Sequence, residues 1–365
     1  MSLTELIVDD VRCIERAELH LDAGQNLIWG GNGSGKTSLL ESIFLLGRGR
    51  SFRTRNSERL IRLGRDRLVV FGRVSTDVPA VGDLTGVVTQ ARPLGVQVSR
   101  VDGTVARVDG NSAKSLTELT QVFPVQIIDP GVHKLLEEGG HRRRRWMDWG
   151  VFHVEPQFGD WWVRYTRALK QRNAALRTQP SQATAWDPEL VRLGELIAEA
   201  RRQFVEGLLP FWRKSVVALS GLEPELHYFK GWAQDSTLSE ALSVSKSRDE
   251  VKRLTHPGPH RADILIRMGG KPAREVLSRG QQKLVAVAMT LAQLELLQST
   301  RQTQSTLLLD DPAAELDGEH LKRFIDQVAR LRSQLVLTSL HPDFHLFGAP
   351  NRVFHVEHGK VGETG

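Results

Sequence analysis

The sequence predicts an α/β fold in which a mixed sheet with an antiparallel β lobe is split by an inserted helical lobe. Three observations carry this. A glycine-rich loop, Gly30-Gly31-Asn32-Gly33-Ser34-Gly35-Lys36-Thr37, sits between an apolar strand-like run and a helical pattern. Short β-type runs from Val69 to Val108 alternate with Asp102-Gly103 and Asp109-Gly110, the turn signals of antiparallel hairpins. From about residue 131 to residue 220 the period becomes helical. The 365 residues, 40% apolar and 25% charged, are enough for two domains that bury their own cores.

In order along the chain, Leu6-Ile7-Val8, Ala17 to Leu21 and Gln25 to Trp29 read as strands, and Ser38 to Leu46 as the helix after the glycine loop. Trp161 through Leu176 has a helical period that Gln179-Pro180-Ser181-Gln182 breaks. A second helix starts with Asp187 as N-cap and Pro188 in its first turn, and carries Leu190, Leu193, Ile197 and Ala200 on one face. Two such helices joined by a polar turn predict a short antiparallel arm. Past Thr255, strands at Asp263 to Arg267, Ser305 to Leu309 and Gln334 to Thr338 flank a long helix from Ser278. The expected division is 1–130 for the N-terminal part of the head, 131–250 for the insertion and 251–365 for the C-terminal part.

Composition narrows the function classes. A single cysteine, Cys13, excludes a disulfide framework and a multi-cysteine zinc site. Met1 to Glu5, with Asp9 and Asp10 behind, lacks the positive start and apolar stretch of a secretory signal. The longest apolar helical run, Leu284 to Leu297, is interrupted by Gln293 and Glu295 and falls short of the roughly 20 apolar residues of a membrane span. The expectation is a soluble, cytoplasmic protein. Its net charge of +6 points only mildly to a polyanionic partner.

The glycine loop fits G-x-x-x-x-G-K-[ST]. Glycines let successive backbone N–H groups curl around a phosphate, Lys36 reaches the β- and γ-phosphates, and the Thr37 hydroxyl binds Mg²⁺. Gly30, Gly31, Asn32, Gly33, Ser34, Gly35, Lys36, Thr37 and Ser38 are therefore the candidates for holding ATP, with the helix N-terminus adding its dipole. Leu307-Leu308-Leu309-Asp310-Asp311 ends an apolar strand in two carboxylates: Asp310 for the metal, and Asp311 to orient a water beside Lys36 as the catalytic pair. Leu277-Ser278-Arg279-Gly280-Gln281-Gln282 opens a helix, and Ser278 as N-cap leaves amides for a phosphate.

L-S-x-G-Q ahead of h-h-h-h-D-[DE] resembles the signature of ABC-type ATPases. The resemblance implies that Ser278, Gly280 and Gln281 close over the ATP of a second subunit, in a head-to-tail homodimer that sandwiches two nucleotides. Lys36 and Asp310 are separated by most of the chain, which leaves room for the helical insertion, and split heads of this kind are similar to the SMC-like DNA-repair ATPases. Further blocks narrow the likeness: Gly49-Arg50-Ser51-Phe52-Arg53, Arg143-Arg144-Arg145-Trp146-Met147-Asp148-Trp149, Gly258-Pro259-His260-Arg261-Ala262-Asp263 and Glu315-Leu316-Asp317. Together, from the first strand to about residue 340, they resemble the bacterial recombination mediators of that family. This implies an ATP-dependent protein of recombinational repair and replication restart that dimerises on ATP and favours duplex or gapped DNA. The resemblance also implies work with RecR and RecO to help load RecA where single-strand-binding protein coats a gap.

Departures from the wider pattern matter. Asp311 stands where transporters place glutamate, so hydrolysis is expected to be slow and to act as a release timer. Ala314 stands where a serine commonly precedes Glu315-Leu316-Asp317, and Ser339 where many relatives have a histidine that senses the γ-phosphate, His341 being two residues late. Gln126 is the candidate for the Mg²⁺-sensing glutamine, and His260 or Arg261 either approaches the nucleotide or shapes a turn. For DNA, eight arginines (48, 50, 53, 55, 59, 62, 65 and 67) face only Glu58 and Asp66, in a segment expected to be flexible. Arg50, Arg53, Arg55 and Arg59 are the chosen contacts. In Arg142-Arg143-Arg144-Arg145, pairing with Glu137 and Glu138 competes with phosphate contact, and Trp146, Trp149, Trp161 and Trp162 read as packing residues rather than base-stacking ones. The alternative function is the ATP-hydrolysing subunit of an ABC transporter, which stimulation by membrane protein instead of DNA would reveal.

Overall fold

The computed structural model describes residues 1–79, 87–113, 115–301, 304–316, 318–343 and 347–364. It divides into two units, Met1–Gly131 with Gln302–Gly365, and Val132–Arg301. The first unit is thus built from both ends of the chain. Residues 251–301, expected in the head, belong to the second unit, so the insertion closes at Arg301 and not at 250.

The first unit opens with β1 (Ser2–Val11), β2 (Ile14–His20), β3 (Gln25–Trp29), α1 (Lys36–Arg48), β4 (Arg67–Pro79), β5 (Val87–Ser99), β6 (Gly103–Val108), β7 (Asn111–Ser112), α2 (Thr117–Val122) and β8 (Val125–Ile128). An antiparallel sheet of order β2-β1-β4-β5-β6-β7 realises the expected hairpins. The β6–β7 turn is Asp109-Gly110, with φ of 52° and 80°, the positive pair that a two-residue hairpin needs to match strand twist. α1 is buried along nearly its whole length, as a helix enclosed by core on all sides must be.

The second unit runs through α3 (Lys134–Glu137), α4 (Gly140–Val154), α5 (Phe158–Thr178), α6 (Asp187–Ser220), β9 (Glu225–Phe229), α7 (Leu238–Lys252), β10 (Asp263–Met268), β11 (Lys271–Pro272), α8 (Ala273–Val276) and α9 (Arg279–Arg301). α6 has 34 residues, about 51 Å at 1.5 Å per residue, and packs on α4, α5 and α9. Its packing with α9 is why 251–301 clusters here. Asp187 is the first residue of α6 and not its cap: Trp186 holds the cap position, and the Asp187 carboxylate accepts from Arg172 Nε at 2.7 Å. The fully buried Arg172 also donates to Asp249 and Thr255, fixing α5 against α7.

The arginine run on α4 turns largely inward. Arg143 makes a bidentate pair with Asp263 (2.8 and 2.8 Å) and caps the carbonyls of Leu135, Leu136 and Glu138. Arg144 donates to the Ala262 carbonyl, and Arg142 pairs with Glu138. Trp146 and Trp149 are buried, as packing residues should be. His260 donates from Nε2 to the Thr255 carbonyl, so its Nδ1 is left to accept from the Tyr165 hydroxyl at 2.7 Å. The Gly258–Arg261 block is therefore a shaped turn within this unit.

The chain returns to the first unit with β12 (Thr306–Leu309), α10 (Pro312–Glu315), α11 (Gly318–Val328), β13 (Gln334–Ser339), β14 (Arg352–Glu357) and β15 (Lys360–Glu363). These complete a sheet of order β15-β14-β3-β13-β12-β8, parallel throughout except at β15. Its strands read Thr-Leu-Leu-Leu and Gln-Leu-Val-Leu-Thr-Ser, buried on every residue, as parallel strands covered on both faces are. Side chains from both sheets and α1 share one apolar core. The C-terminal ends of β3, β13 and β12 lie side by side, the edge where open parallel sheets present their ligand crevice.

Candidate nucleotide-binding site

The glycine loop leaves β3 at that edge and enters α1 without a side-chain cap, so the first amides of α1 are left for an anion. Two glycines are required by geometry. At Gly30 (φ 155°) a Cβ would lie 2.2 Å from the Val356 carbonyl, and Gly35 holds φ 122° where the loop turns into the helix. Lys36 lies across the loop, its Nζ donating to the carbonyls of Gly30 (2.6 Å) and Gly31 (2.8 Å). Burial pulls its ammonium below the usual lysine range, against the opposing pull of Asp311 and Asp310.

Two hydroxyls meet the β12 carboxylate. Thr37 Oγ1 donates to Asp310 at 3.1 Å, and Thr338 Oγ1, from the intervening β13, donates to Asp310 Oδ1 at 2.9 Å. The same Thr338 oxygen accepts from the Asp311 N–H at 2.9 Å. Asp311 itself sits at φ 49°, ψ 58°, a conformation that short polar side chains tolerate and that clusters at functional sites. Around these groups is a cavity of about 330 Å³ lined by Asn32, Lys36, Thr37, Asp310, Asp311 and Thr338, together with Cys13, Arg53 and Pro130.

The residues fit the groups that the motifs imply. Thr37 and Asp310 offer two hard oxygen ligands side by side, as Mg²⁺ requires. Among the described residues no cluster of three or more His, Cys, Asp or Glu is placed to hold a metal. A metal here would share its remaining ligands with phosphates and water, the usual Mg²⁺ arrangement.

The signature-like residues and the remaining candidates fall elsewhere. Ser278, Gly280 and Gln281 lie in the second unit. There Ser278 caps α9 reciprocally: Gln281 N–H donates to Ser278 Oγ (3.3 Å), and Ser278 N–H donates to Gln281 Oε1 (2.9 Å). A Cβ at Gly280 would meet nothing within 4 Å, so this turn is open to an approaching surface. Gln126 lies on β8, where it accepts from Arg48, and Pro130 rather than Gln126 lines the cavity. Ser339 is buried and accepts from the His341 N–H, while His341 is exposed and away from the cavity lining. Asp317 lies outside the described residues.

The arginine segment is not a free loop. Arg48 stacks over Phe44 at 5.2 Å, and Arg62 and Arg65 pair with Asp10 and Glu15. Residues 57–60 form a 3-10 turn capped by Asn56. Arg50 is half-buried, and Arg53, Arg55 and Arg59 are exposed. Arg53, expected to contact DNA, is exposed and also lines the cavity around Lys36 and Asp310. Cys13, Thr338 and Pro130 were missed because each reaches the cavity from a separate strand end and carries no local motif.

Residues 2–362 match the family described as RecF/RecN/SMC N terminal domain. The chain is 38% identical to the DNA replication and repair protein RecF of Pseudomonas aeruginosa strain LESB58, covering 100% of this chain and 98% of that protein. It is 38% identical to the protein of the same name from Shewanella baltica strain OS223, with 99% of each covered. A solved structure of the recombination mediator protein RecF-ATP in the RecFOR pathway superposes with a TM-score of 0.87 at 26% identity, covering 100% of this chain and 97% of that one. An Smc head bound to the C-winged helix domain of ScpA, at TM-score 0.57 and 15% identity, supports the fold alone. None of these is a transporter subunit, and among the described residues no helix is long and apolar enough to cross a membrane. The transporter alternative is not favoured.

Proposed function

The chain belongs to the RecF/RecN/SMC family, and within it to the RecF branch, and from that premise we propose an ATP-gated DNA-binding protein that acts as a recombination mediator in replication and repair. The observation that carries this reading is the meeting of Lys36, Thr37, Asp310 and Thr338 around one cavity at the end of the parallel sheet. Lys36 is placed to leave its two carbonyl partners for the phosphates of ATP. Thr37 and Asp310 would hold Mg²⁺, which when bound neutralises charge across the phosphates. Asp311, held by its αL backbone and by Thr338, orients the attacking water. Its short side chain is set for slow turnover, so that hydrolysis times release rather than drives work.

On this reading Ser278, Gly280 and Gln281 close over the nucleotide of a second copy, and the active form is a head-to-tail homodimer on duplex or gapped DNA. Arg55 and Arg59, with Arg50, supply phosphate contacts, whereas Arg53 serves the nucleotide. RecR and RecO are the partners with which it helps load RecA at gaps coated by single-strand-binding protein.

The test is equilibrium binding of a fluorescent ATP analogue and of labelled duplex DNA, with and without Mg²⁺, for the wild type and Lys36→Ala. The expected result is Mg²⁺-dependent nucleotide binding that Lys36→Ala abolishes, together with DNA binding that ATP strengthens in the wild type only. Equal DNA affinity with and without ATP would overturn the gating.

A further inference from the structure

Glu41 is completely buried in the second turn of α1, on the helix that begins at Lys36. A carboxylate at that depth persists only with charged or hydrogen-bonding partners, and its partners come from two places. Arg12, in the β1–β2 turn, donates to both carboxylate oxygens, from Nε and Nη2, each at 3.2 Å. The Ser51 hydroxyl donates to Oε1.

Each partner then grips the arginine segment. Ser51 Oγ accepts the N–H groups of Arg53 (2.9 Å) and Thr54 (3.1 Å). Arg12 donates from Nη1 to the Arg59 carbonyl (2.9 Å) and from its backbone N–H to the Leu60 carbonyl (2.7 Å). Arg12 does this at φ 56°, a left-handed conformation that a long L side chain adopts only when its surroundings enforce it. One carboxylate thus fixes both ends of residues 51–60. Within that span Arg53 lines the nucleotide cavity, as does Cys13, the neighbour of Arg12. Arg55 and Arg59 are exposed on the same span and make no ion pair among the described residues.

We propose that Glu41 is a positioning residue that joins the nucleotide cavity to the DNA-contacting arginines through Arg12 and Ser51. The inference rests on the reading of the protein as an ATP-gated DNA binder. A triphosphate that engages Arg53 acts on a segment clamped at both ends, so the presentation of Arg55 and Arg59 changes with it. By linkage, DNA on those arginines strengthens nucleotide binding by the same factor. Without the clamp each site still binds, and the only coupling left is what the pairing of two copies supplies.

The experiment measures duplex-DNA affinity by fluorescence anisotropy with and without a slowly hydrolysed ATP analogue, alongside nucleotide affinity and melting temperature. The proteins are wild type, Glu41→Gln and Ser51→Ala, each as the full chain. In the wild type the analogue is expected to tighten DNA binding roughly tenfold, within the usual range of coupling between sites. In both variants the nucleotide affinity and the nucleotide-free DNA affinity stay near wild type, while the ratio falls well below the wild-type value. A merely structural role would instead lower both affinities and the melting temperature together.

Ser51→Ala removes a hydroxyl outside α1 and decides the matter if Glu41→Gln does not fold. A folded Ser51→Ala protein with the full ratio overturns the inference. So does a wild type that binds both ligands at a ratio near one. A wild type that binds no nucleotide overturns the functional reading itself.

Discussion

Thr338 has no motif to announce it, yet its hydroxyl joins the two acids of the site, donating to Asp310 and accepting from the Asp311 N–H. That bond holds Asp311 in its left-handed conformation, one that aspartate and asparagine tolerate better than longer side chains. The short acid therefore suits the backbone while shortening the reach toward water. Asp311→Glu is expected to raise the single-turnover hydrolysis rate, and Asp311→Asn to lower it by roughly 10²- to 10⁴-fold, the usual contribution of a positioned base. Quench-flow on the two variants checks this, and no gain on Asp311→Glu would refute the timer. His260 yields a prediction of a different kind. Burial lowers its pKa from 6.5 to about 4, and the guanidinium groups of Arg261, Arg144 and Arg201 add to the shift against the hydrogen bond to the Thr255 carbonyl. A base whose folded pKa is depressed costs nothing above the unfolded pKa, and stability is lost as pH falls from about 6.5 to 4, where only the unfolded chain gains the proton. At pH 5 the loss is about 2 kcal/mol. Urea melts at pH 7 and pH 5 should show it, and His260→Gln, which keeps a donor and an acceptor but does not titrate, should flatten the difference.

At the scale of elements, what could be read in advance was what is contiguous. The P-loop, the acidic end of β12 and the capped start of α9 each spell their chemistry within a few neighbouring residues, and each lies on the expected strand, loop or helix. The helical hairpin was also legible, because α5 and α6 keep their period over many turns. What could not be read were choices made by tertiary partners. Asp187 left the cap position to serve Arg172, and the boundary moved from 250 to 301 because the apolar face of α9 is shared with α6. The arginine run on α4 is the clearest case, since only the fold brings Asp263 to Arg143. Arg143→Ala strands a mostly buried carboxylate and is expected to cost about 2–4 kcal/mol, within the range for breaking such pairs. Thermal melts check the loss, and duplex affinity of the folded protein should be unchanged. Arg55→Ala should do the reverse, leaving the melting temperature alone and weakening DNA binding.

For the whole molecule the modest net charge of +6 hid a local concentration that the fold then sorted. Arg62 and Arg65 pair with Asp10 and Glu15, and Arg53 lines the cavity beside the glycine loop, while Arg55 and Arg59, like Arg67, are exposed to a polyanion. If ATP joins two copies head to tail, the phosphate contacts per bound particle double. Each contact contributes about 0.9 to the slope of log affinity against log salt on duplex DNA. Replacing both Arg55 and Arg59 with alanine should therefore reduce that slope by roughly 2 without nucleotide and by roughly 4 with ATP and Mg²⁺. Sedimentation supplies the independent measure: wild type should double in mass with ATP and Mg²⁺, whereas Lys36→Ala and Ser278→Arg should not. Ser278 also caps α9, and losing a cap costs about 1 kcal/mol, so Ser278→Ala is run beside it to separate a weakened helix from a blocked interface. A Ser278→Arg protein that melts like Ser278→Ala but stays single with ATP carries the sandwich. One that dimerises, or a wild-type slope indifferent to ATP, removes it.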